Sequence, residues 1–434
     1  MKTYSEAVEF LYGLQARGMK FGLRGIRSLM RSLGRPDRRL RCVHVAGSNG
    51  KGSTAAMIAA TLTAAGYRTG LYTSPHLIDF SERIRIDGKP IPKKAVVRLT
   101  RRLRKVIEMH RVTFFEATTA LAFQYFADER VDIAVIETGL GGRLDATNVI
   151  FPLVSVITTI SLEHTNLLGN SLRKIAYEKA GIVKSGVPCV IGVRSPSALR
   201  MIKSVCRERK SRLIDTRSAG IRIHHLGLSG STLSVSFRGV KVPKLILSLA
   251  GRHQARNAVL AIASLQELAL QGFKIHEEAL RHGMGSINAF TGLCGRLSLI
   301  GHNPSMIADV AHNTDGLRTL VKALRALGIH KAHVVFGVMK DKPVRTMIRV
   351  LAEVARSIAA VEPGTNRSLP AAEVGREFRR LRIPVFYQGP VAGGVALARS
   401  VAGKKGTVLV TGSHFVVGEA LAALKRKKYL TINQ

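Results

Sequence analysis

The residues best suited to chemistry form a glycine-rich loop, Gly47–Ser53 (GSNGKGS), directly after the apolar run Cys42–Ala46. Its three glycines let the backbone turn so that successive N–H groups face one anion. Lys51 supplies a point charge for phosphate oxygens, and Ser53 offers a hydroxyl to a magnesium ion. The Ala-rich segment Thr54–Ala65 predicts a helix, whose positive dipole end adds to the attraction. The pattern therefore predicts a phosphate-binding loop rather than an ordinary turn.

The spacing of this loop differs from that of the standard Walker motif. The glycine expected six residues before Lys51 is Val45, and Gly52 separates the lysine from the hydroxyl of Ser53. These departures argue against the loop of the common kinases and GTPases.

Polar side chains also stand where predicted strands end. Glu137 closes the apolar run Val131–Glu137, and His164 comes shortly after the strand Val154–Thr158. Ligands of α/β proteins bind at the carboxyl ends of strands, where a carboxylate suits Mg²⁺. His164 alone is more often a structural histidine, because imidazole is not a favoured Mg²⁺ ligand. Lys179, on a helix of mixed charge, is by itself more typical of a solvated face.

Strand-like and helical patterns alternate along the chain, which is typical of parallel α/β layers. Further elements of the first series are strands at Thr69–Thr73 and Val187–Gly192 and helices at Ala117–Ala127, Ser171–Val183, Gln254–Leu268 and His276–Met284. Three short alternating runs before the last two helices predict a small β insertion, at Ile221–His225, Thr232–Phe237 and Lys244–Leu249.

A second α/β series follows the stretch Phe290–Gly295. Its predicted strands are Met306–Val310, Ala332–Val338, Ser357–Val361, Pro384–Tyr387 and Thr407–Thr411. A chain of 434 residues is expected to form two domains, and we place the boundary near Thr291. The predicted domains are 1–290, with the loop, and 291–434.

Composition limits the setting of the protein. The four cysteines form no CxxC pair and are expected to be isolated buried thiols in a reducing compartment. The first fifteen residues lack the apolar core of a signal peptide, and no apolar stretch reaches the ~20 residues of a spanning helix. We therefore expect a cytoplasmic protein without a membrane segment.

The charge is strongly positive, with 67 Lys and Arg against 28 Asp and Glu, a formal net charge of +39. Such a field gathers anions of any kind, nucleic acid included. The basic residues are spread along the chain, however, aromatics are only 5% and Trp is absent, which leaves little for base stacking. Binding to nucleic acid is therefore expected to be non-specific.

The ordered set of motifs resembles the Mur ligase superfamily, and in particular its folylpolyglutamate/dihydrofolate synthase family, over nearly the whole chain. The motifs that carry the resemblance are the loop Gly47–Ser53, Thr73–Leu77, Phe115–Thr119, Glu137–Asn148, Glu163–Thr165 with Leu168-Gly169, Glu178–Ile182, His253-Gln254 with Asn257, Gly295-Arg296 and Asp309–Asn313. The resemblance implies an ATP-binding Mur-ligase-type first domain with the β insertion, followed by a Rossmann-like ligase domain.

The resemblance also assigns roles to the site residues. It implies one magnesium ion held by Ser74, Glu137 and His164, and another at the phosphate loop held by Ser53. Lys179 resembles a lysine that the family carries as a carbamate, and it is expected to act in catalysis with Lys51 and His312. ATP would contact the following residues: Asn49, Gly50, Lys51, Gly52, Ser53, Asn257, Arg296 and Asp309.

Substrate residues are less clearly marked. His312 and Asn313 are candidates for the glutamate site, and Phe114 and Phe115 for the pterin, although two aromatics at a helix entry are more often core. The segment Phe21–Pro36 resembles the family's N-terminal substrate region. The sequence departs from the family pattern at Ser48, Glu163 (usually Asp), Ser298 and Thr314, which bears on substrate geometry.

The implied reaction is a three-substrate ligation by a monomer. ATP would phosphorylate a carboxylate of a folate or of dihydropteroate, and the amine of L-glutamate would attack the acyl phosphate. A Mur ligase with another carboxylate substrate is the alternative within the enzyme class. A basic nucleic-acid-associated ATP-binding protein is a distant third.

Overall fold

The computed structural model describes residues 1–18, 22–427 and 429. Its helices are α1 Tyr4–Gly13, α2 Arg24–Ser32, α3 Lys51–Ala64, α4 Lys93–Met109, α5 Phe114–Asp128, α6 Thr165–Leu168, α7 Leu172–Ala180, α8 Pro196–Glu208, α9 Arg252–Ala269, α10 Glu277–Gly285, α11 Ile287–Thr291, α12 Thr314–Ala326, α13 Val344–Ala352, α14 Ala371–Arg380, α15 Val391–Ala402 and α16 His414–Leu424. Its strands are β1 Cys42–Ala46, β2 Thr69–Tyr72, β3 Ile84–Ile86, β4 Lys89–Pro90, β5 Ile133–Glu137, β6 Val154–Ile157, β7 Cys189–Ile191, β8 Leu213–Asp215, β9 Gly220–Gly227, β10 Gly230–Phe237, β11 Val240–Leu247, β12 Ser298–Gly301, β13 Ser305–Asp309, β14 Ala332–Phe336, β15 Ala355–Glu362, β16 Val385–Pro390 and β17 Thr407–Thr411.

The first large sheet has eight strands in the order β4-β3-β2-β5-β1-β6-β7-β8. Six neighbouring strands run parallel, in the order β2-β5-β1-β6-β7-β8. Their carboxyl ends meet on one side of the sheet, which we call the carboxyl edge. Every residue of β1 and β5 is buried, as expected for strands covered on both faces. Helix α3 packs close to this sheet because its buried face consists largely of small residues.

The β insertion is a three-stranded antiparallel sheet in the order β11-β10-β9. Buried residues alternate with more exposed ones along β10. The inward-facing residues of the insertion belong to the same apolar core as α3 and α9; they are Leu233, Val235, Phe237, Leu245 and Leu247. The insertion therefore packs against α9 and α10, the helices that in turn contact α3.

The second large sheet has six strands in the order β12-β13-β17-β14-β15-β16. All neighbours are parallel except β12, which runs antiparallel at the edge. Two apolar clusters cover its two faces, one around α12, α13 and α14 and one around α15 and α16.

The predicted α/β class is confirmed, and each predicted strand has a counterpart within a few residues. Parallel pairing is incomplete, because β3, β4 and β12 add antiparallel edges. Cys294 is partly exposed, and Cys189 and Cys206 lie within hydrogen-bonding contact, so two of the four free thiols are not isolated. Among the described helices, none is long and apolar enough to cross a membrane.

Candidate functional site

The phosphate loop joins the carboxyl end of β1 to the first residue of α3, Lys51. Gly50 has φ +87 and Gly47 has φ +151, backbone conformations that side chains disfavour. A Cβ on Gly47 would collide with Oγ1 of Thr158, and one on Gly50 would lie 2.6 Å from Oδ1 of Asn257. Glycine is therefore required at both positions by conformation and by space.

The residues after β6 hold this loop in place. The Asn49 N–H donates to Oγ1 of Thr159 at 2.9 Å, and the Asn49 carbonyl accepts from Oγ1 of Thr158 at 2.7 Å. Ser48 and Ser161 are joined twice, since the Ser48 hydroxyl accepts from the Ser161 N–H at 3.0 Å and donates to its carbonyl at 3.3 Å. The loop is therefore fixed before any ligand binds.

Two ammonium groups, one of the half-buried Lys51 and one of the buried Lys179, meet at one backbone oxygen of the loop. The Gly47 carbonyl accepts from Nζ of Lys51 at 2.8 Å and from Nζ of Lys179 at 2.9 Å. Lys179 is 1% exposed and also lies 2.8 Å from Oε1 of Glu163. Lys179 is thus a fixed part of the loop's support and not a solvated surface residue.

The Lys179–Glu163 pair controls the charge beside the loop. Burial lowers the pKa of Lys179, against the attraction of Glu163. Burial by itself would raise the pKa of Glu163, but Lys179 and Lys51 outweigh it and lower that pKa to about 2. Glu163, one of the positions where the sequence departs from the family pattern, is therefore the carboxylate of this buried ion pair.

Glu137 and Ser74 come together at the ends of β5 and β2. The Ser74 N–H donates to Oε2 of Glu137 at 3.2 Å. Burial raises the pKa of Glu137, while Lys51 and Arg296 oppose the shift. Within the described residues Glu137 forms no direct ion pair, so a buried carboxylate lies beside the loop with Lys51 and Arg296 as its cationic neighbours.

His164 lies nearby, in the left-handed conformation (φ 45, ψ 41) at the start of α6. Burial, with the charge of Lys342 nearby, lowers the pKa of His164 to about 4. The imidazole is therefore neutral at physiological pH, the form that can bind a metal. Among the described residues, no three His, Cys, Asp or Glu side chains form a metal cluster, so a magnesium ion here would need hydroxyl, water or phosphate oxygens as well.

Asn257 and Arg296 approach the same loop from outside the first sheet. A Cβ on Gly52 would lie 3.3 Å from an Arg296 guanidinium nitrogen and 3.6 Å from Oε2 of Glu137. Nδ2 of Asn257 donates to Oε1 of Gln254 at 2.8 Å, which leaves its oxygen facing Gly50. Both residues therefore border the path that a nucleotide phosphate would take along the loop.

Asp309 ends β13, and its two carboxylate oxygens accept from backbone groups. The Leu297 N–H donates at 2.8 Å and the Ala311 N–H at 2.9 Å. Burial raises its pKa, with Arg296 opposing the shift. Its observed contacts organise the turn that carries Arg296.

His312 and Asn313 face the loop from the second sheet. Nδ1 of His312 donates to the Val310 carbonyl at 3.0 Å, which leaves Nε2 as the acceptor in the neutral ring. Burial lowers the pKa of His312 to about 4. Nδ2 of Asn313 donates to Oδ1 of Asn49 at 3.2 Å, a direct link between the second sheet and the phosphate loop.

The two phenylalanines at the start of α5 separate. Phe114 is core, packed against Tyr12, Phe80 and the buried Arg83. Phe115 is half-buried, and a Cβ on Gly139 would lie 2.5 Å from its ring. Of the two, only Phe115 borders the carboxyl edge.

Sequence reasoning missed several residues of this region. Thr158, Thr159 and Ser161 form hydrogen bonds that hold the loop. Lys342 and His414 lie close to His312, and the ring centroids of His312 and His414 are 5.4 Å apart. All five follow the carboxyl end of a parallel strand, β6, β14 or β17. The rule that led to Glu137 would have found them if applied to every strand end.

Two family models match the chain. Residues 45–265 match the Mur ligase middle domain, and residues 295–414 match the Mur ligase glutamate ligase domain. The fold and the phosphate loop therefore define an ATP-dependent ligase of the Mur type.

Individual relatives narrow this class. A Bacillus subtilis protein named dihydrofolate synthase/folylpolyglutamate synthase is 37% identical over 366 residues, which cover 82% of this chain and 84% of that protein. Mycobacterium tuberculosis folylpolyglutamate synthase complexed with ADP gives a TM-score of 0.88 at 31% identity, over 98% of this chain and 100% of that one. E. coli FolC in complex with DHPP and ADP gives a TM-score of 0.86 at 28% identity, over 98% of each chain. The chain belongs to the folylpolyglutamate/dihydrofolate synthase family.

Proposed function

We propose that this protein joins L-glutamate to a folate, to dihydropteroate or to both, through an acyl phosphate made with ATP. The observation that carries the proposal is the convergence of Lys51, Lys179, Glu137 and Arg296 on the loop Gly47–Gly52. We further propose that residues 1–290 form the ATP-binding domain and 291–434 the C-terminal ligase domain of a cytoplasmic monomer.

The cations act on the phosphoryl group in this proposal. Lys51 reaches the terminal phosphates by leaving the Gly47 carbonyl, and Arg296 approaches the same phosphates from the second domain. Guanidinium and ammonium groups stabilise the charge on a transferring phosphoryl group without covalent chemistry. Asn49, Gly50, Gly52 and Ser53 provide loop contacts to the nucleotide, Asn257 borders it, and Asp309 holds the turn that presents Arg296.

Magnesium fits the chemistry of the residues present. Glu137 is a buried carboxylate without a direct ion pair among the described residues, and His164 is neutral. Ser74, Glu137 and His164 would hold one ion, and Ser53 would serve another at the loop. A bound magnesium ion supplies charge neutralisation for the phosphates.

Lys179 is proposed to form a carbamate in the working enzyme. Its buried ammonium group would first lose one proton, and the free amine would then attack CO₂, forming an N–C bond and releasing a second proton, so that an anion replaces a cation. That anion would face Glu163, so it is compatible only with bound magnesium. ¹³C NMR with labelled bicarbonate and magnesium tests this: a carbamate signal absent from Lys179→Arg is expected, and identical spectra would contradict it.

His312 is proposed to position the glutamate amine. Its Nε2 is an acceptor in the neutral ring, beside Lys342 and Glu163. An acceptor there can take a proton from the amine as the amide bond forms. Asn313 would help to fix glutamate, and Phe115 would border the pterin.

An acceptor comparison tests the function. The protein is incubated with ATP, magnesium and L-glutamate, together with dihydropteroate, tetrahydrofolate or neither, and released phosphate and ligated product are measured. Glutamate-dependent phosphate release with at least one pterin acceptor is expected. If neither pterin acceptor gives glutamate-dependent phosphate release, the proposal is contradicted and a ligase with another carboxylate substrate is favoured. Salt-dependent nucleic-acid binding with a sequence preference would favour the third alternative, whereas weak uniform binding would reflect charge alone.

A further inference from the structure

A second concave region rich in basic side chains lies at the opposite end of the eight-stranded sheet. It is a groove of about 910 Å³ between α2, the segment before β1 and the turn before β6. Its basic lining residues are Arg24, Arg27, Arg31, Arg35, Arg38 and Lys184. Leu40 and Phe151, which also line it, precede β1 and β6 at the amino ends of these parallel strands. The groove is therefore separate from the phosphate loop, which follows the carboxyl end of β1.

The arginines of the groove are arranged on one side of a helix. Arg24, Arg27 and Arg31 are spaced by three and four residues on α2, so they share a face, and like charges at this spacing repel each other. Asp37 is the one acidic residue among the lining side chains. Both of its oxygens already accept from Arg35, at 3.1 Å and 2.8 Å.

Three other arginines of the groove differ from Arg35 in their surroundings. In the part of the chain that the structure describes, neither Arg24, Arg27 nor Arg31 forms an ion pair with a carboxylate. A groove lined by one sign of charge concentrates the electrostatic potential inside it. The repulsion within this group would be relieved by a bound anion.

Lys184 is the most constrained of these cations. Its Nζ donates to the backbone oxygen of Asn148 at 2.9 Å and to the side-chain oxygen at 2.8 Å. Burial, together with the neighbouring Arg27 and Arg209, lowers its pKa to about 8. The ammonium group is therefore held in a fixed position next to other positive charges.

We propose that this groove is a second anion-binding site, which takes a small flexible oligoanion whose charges are carboxylates or phosphates. Guanidinium groups bind both kinds of charge in a bidentate way, and several along one face match several charges along one ligand. Phe151, 65% exposed at the rim, is the only aromatic residue among the lining side chains. The groove therefore offers a single aromatic ring on which a base could stack, which favours a small anion over a nucleic acid as its ligand.

Calorimetric titration of the full chain tests the proposal, with ADP and magnesium in excess so that the phosphate loop is filled. The two probes are γ-linked triglutamate and inorganic tripolyphosphate, at one fixed ionic strength. The groove variant is Arg27→Gln with Lys184→Gln. The control variant is Arg222→Gln with Lys241→Gln, which removes the same charge from exposed positions of the β insertion.

At least one probe is expected to bind the wild-type chain and the control variant, and to bind the groove variant roughly tenfold more weakly or worse. Preference for triglutamate identifies a carboxylate ligand, and preference for tripolyphosphate a phosphate ligand. The proposal is overturned if neither probe binds, if both variants lose affinity equally, or if a short single-stranded oligonucleotide binds the groove more tightly than both probes.

Labelling of the unaltered chain gives a readout that does not depend on any variant folding correctly. Lys184 is acetylated at pH 8, and the modified peptide is measured by mass spectrometry with ADP present. The tighter-binding probe is expected to slow acetylation of Lys184 but not of exposed Lys241, because a bound anion covers the amine and favours its protonated form. Equal rates with and without the probe would contradict the proposal.

Discussion

The two edges of the eight-stranded sheet use positive charge in opposite ways. At the carboxyl edge, Lys51 and Lys179 both donate to the Gly47 carbonyl, and Lys179 is paired with Glu163. At the amino edge, where the amino ends of the parallel strands meet and the basic groove lies, the arginines of α2 share a helix face. The one carboxylate that lines the groove, Asp37, is paired with Arg35. Cations at the first edge are positioned by protein oxygens, whereas at the second edge Arg24, Arg27 and Arg31 form no ion pair with a carboxylate among the described residues.

This difference separates two consequences of a high net charge. Fixed cations can stabilise a transition state, because their orientation is already determined before the reaction. Unpaired surface cations mainly attract and hold anions, and salt screens them more strongly. The formal charge of +39 therefore does not by itself describe the catalytic site.

The largest effect is expected from breaking the buried ion pair at the carboxyl edge. Glu163→Gln leaves the ammonium group of Lys179 buried without a carboxylate partner and should lower the free energy of unfolding by about 3–5 kcal/mol. Chemical denaturation measures this. Glu208→Gln, at an exposed pair with Arg209, is the control and should change stability by less than about 1 kcal/mol.

A second variant isolates the cause of that loss. Glu163→Gln combined with Lys179→Met removes both charges and should recover most of the lost stability, since no charge remains buried alone. A double variant as unstable as Glu163→Gln would show that the pair matters for packing and not for charge.

Lys51→Ala tests the other fixed cation through activity. Loss of a charge directed at the transferring phosphoryl group should lower kcat by roughly 10²–10³-fold. Stability should change little, because the Lys51 side chain contacts only carbonyl oxygens of its own loop among the described hydrogen bonds. Steady-state phosphate release and chemical denaturation, measured on the same sample, separate the effect on activity from the effect on stability. A kcat near that of the wild type would show that Lys51 does not stabilise the transferring phosphoryl group.

Gly47→Ala tests the backbone of the loop. The new Cβ would collide with Oγ1 of Thr158 at a positive φ, so the free energy of unfolding should fall by about 1–3 kcal/mol and ADP binding should weaken. Gly13→Ala is the matched control, because nothing lies within 4 Å of a Cβ there. Equal melting temperatures for the two variants would contradict the described loop geometry.

The smallest effect concerns pH at the amino edge. The pKa of Lys184 is lowered from 10.5 to about 8, with Arg27, Arg209 and Cys42 as the charged or titratable neighbours that act on it. Its proton is therefore lost above pH 8, and anion affinity in the groove should fall by a few-fold between about pH 7 and pH 9. Lys184→Gln should bind more weakly at pH 7 and lose this pH dependence, and calorimetry at the two pH values measures both.

The sequence predicted the carboxyl edge better than the rest of the molecule. The strand, loop and helix around Gly47–Ser53 depend on local signals, namely an apolar run, glycines and a helical pattern, and they were found within a few residues. Ser74, Glu137, Asn257 and Arg296 also lie around the loop, although their roles remain predictions. These residues follow strand ends or recognisable motifs, which sequence can show.

Other features depend on contacts between distant segments. The helices α1, α2, α4 and α8 and the antiparallel strands β3 and β4 were not predicted. The sequence did not show that the arginines of α2 share one helix face. The groove forms because Lys184 and Phe151, far from α2 in sequence, are brought beside it by the sheet. The segment Phe21–Pro36 resembles the family's N-terminal substrate region. Phe21 lies outside the described residues, and the rest of the segment includes the groove residues Arg24, Arg27, Arg31 and Arg35.

Isotope transfer tests the central claim, phosphorylation of a substrate carboxylate at the carboxyl edge, most directly. The pterin acceptor is prepared with ¹⁸O in its carboxylate, and the phosphate released during glutamate ligation is analysed by mass spectrometry. The proposed mechanism predicts one ¹⁸O atom in the phosphate for each amide bond formed, because the carboxylate oxygen stays with phosphorus when the amine attacks. Phosphate without ¹⁸O, formed together with the amide product, would contradict it.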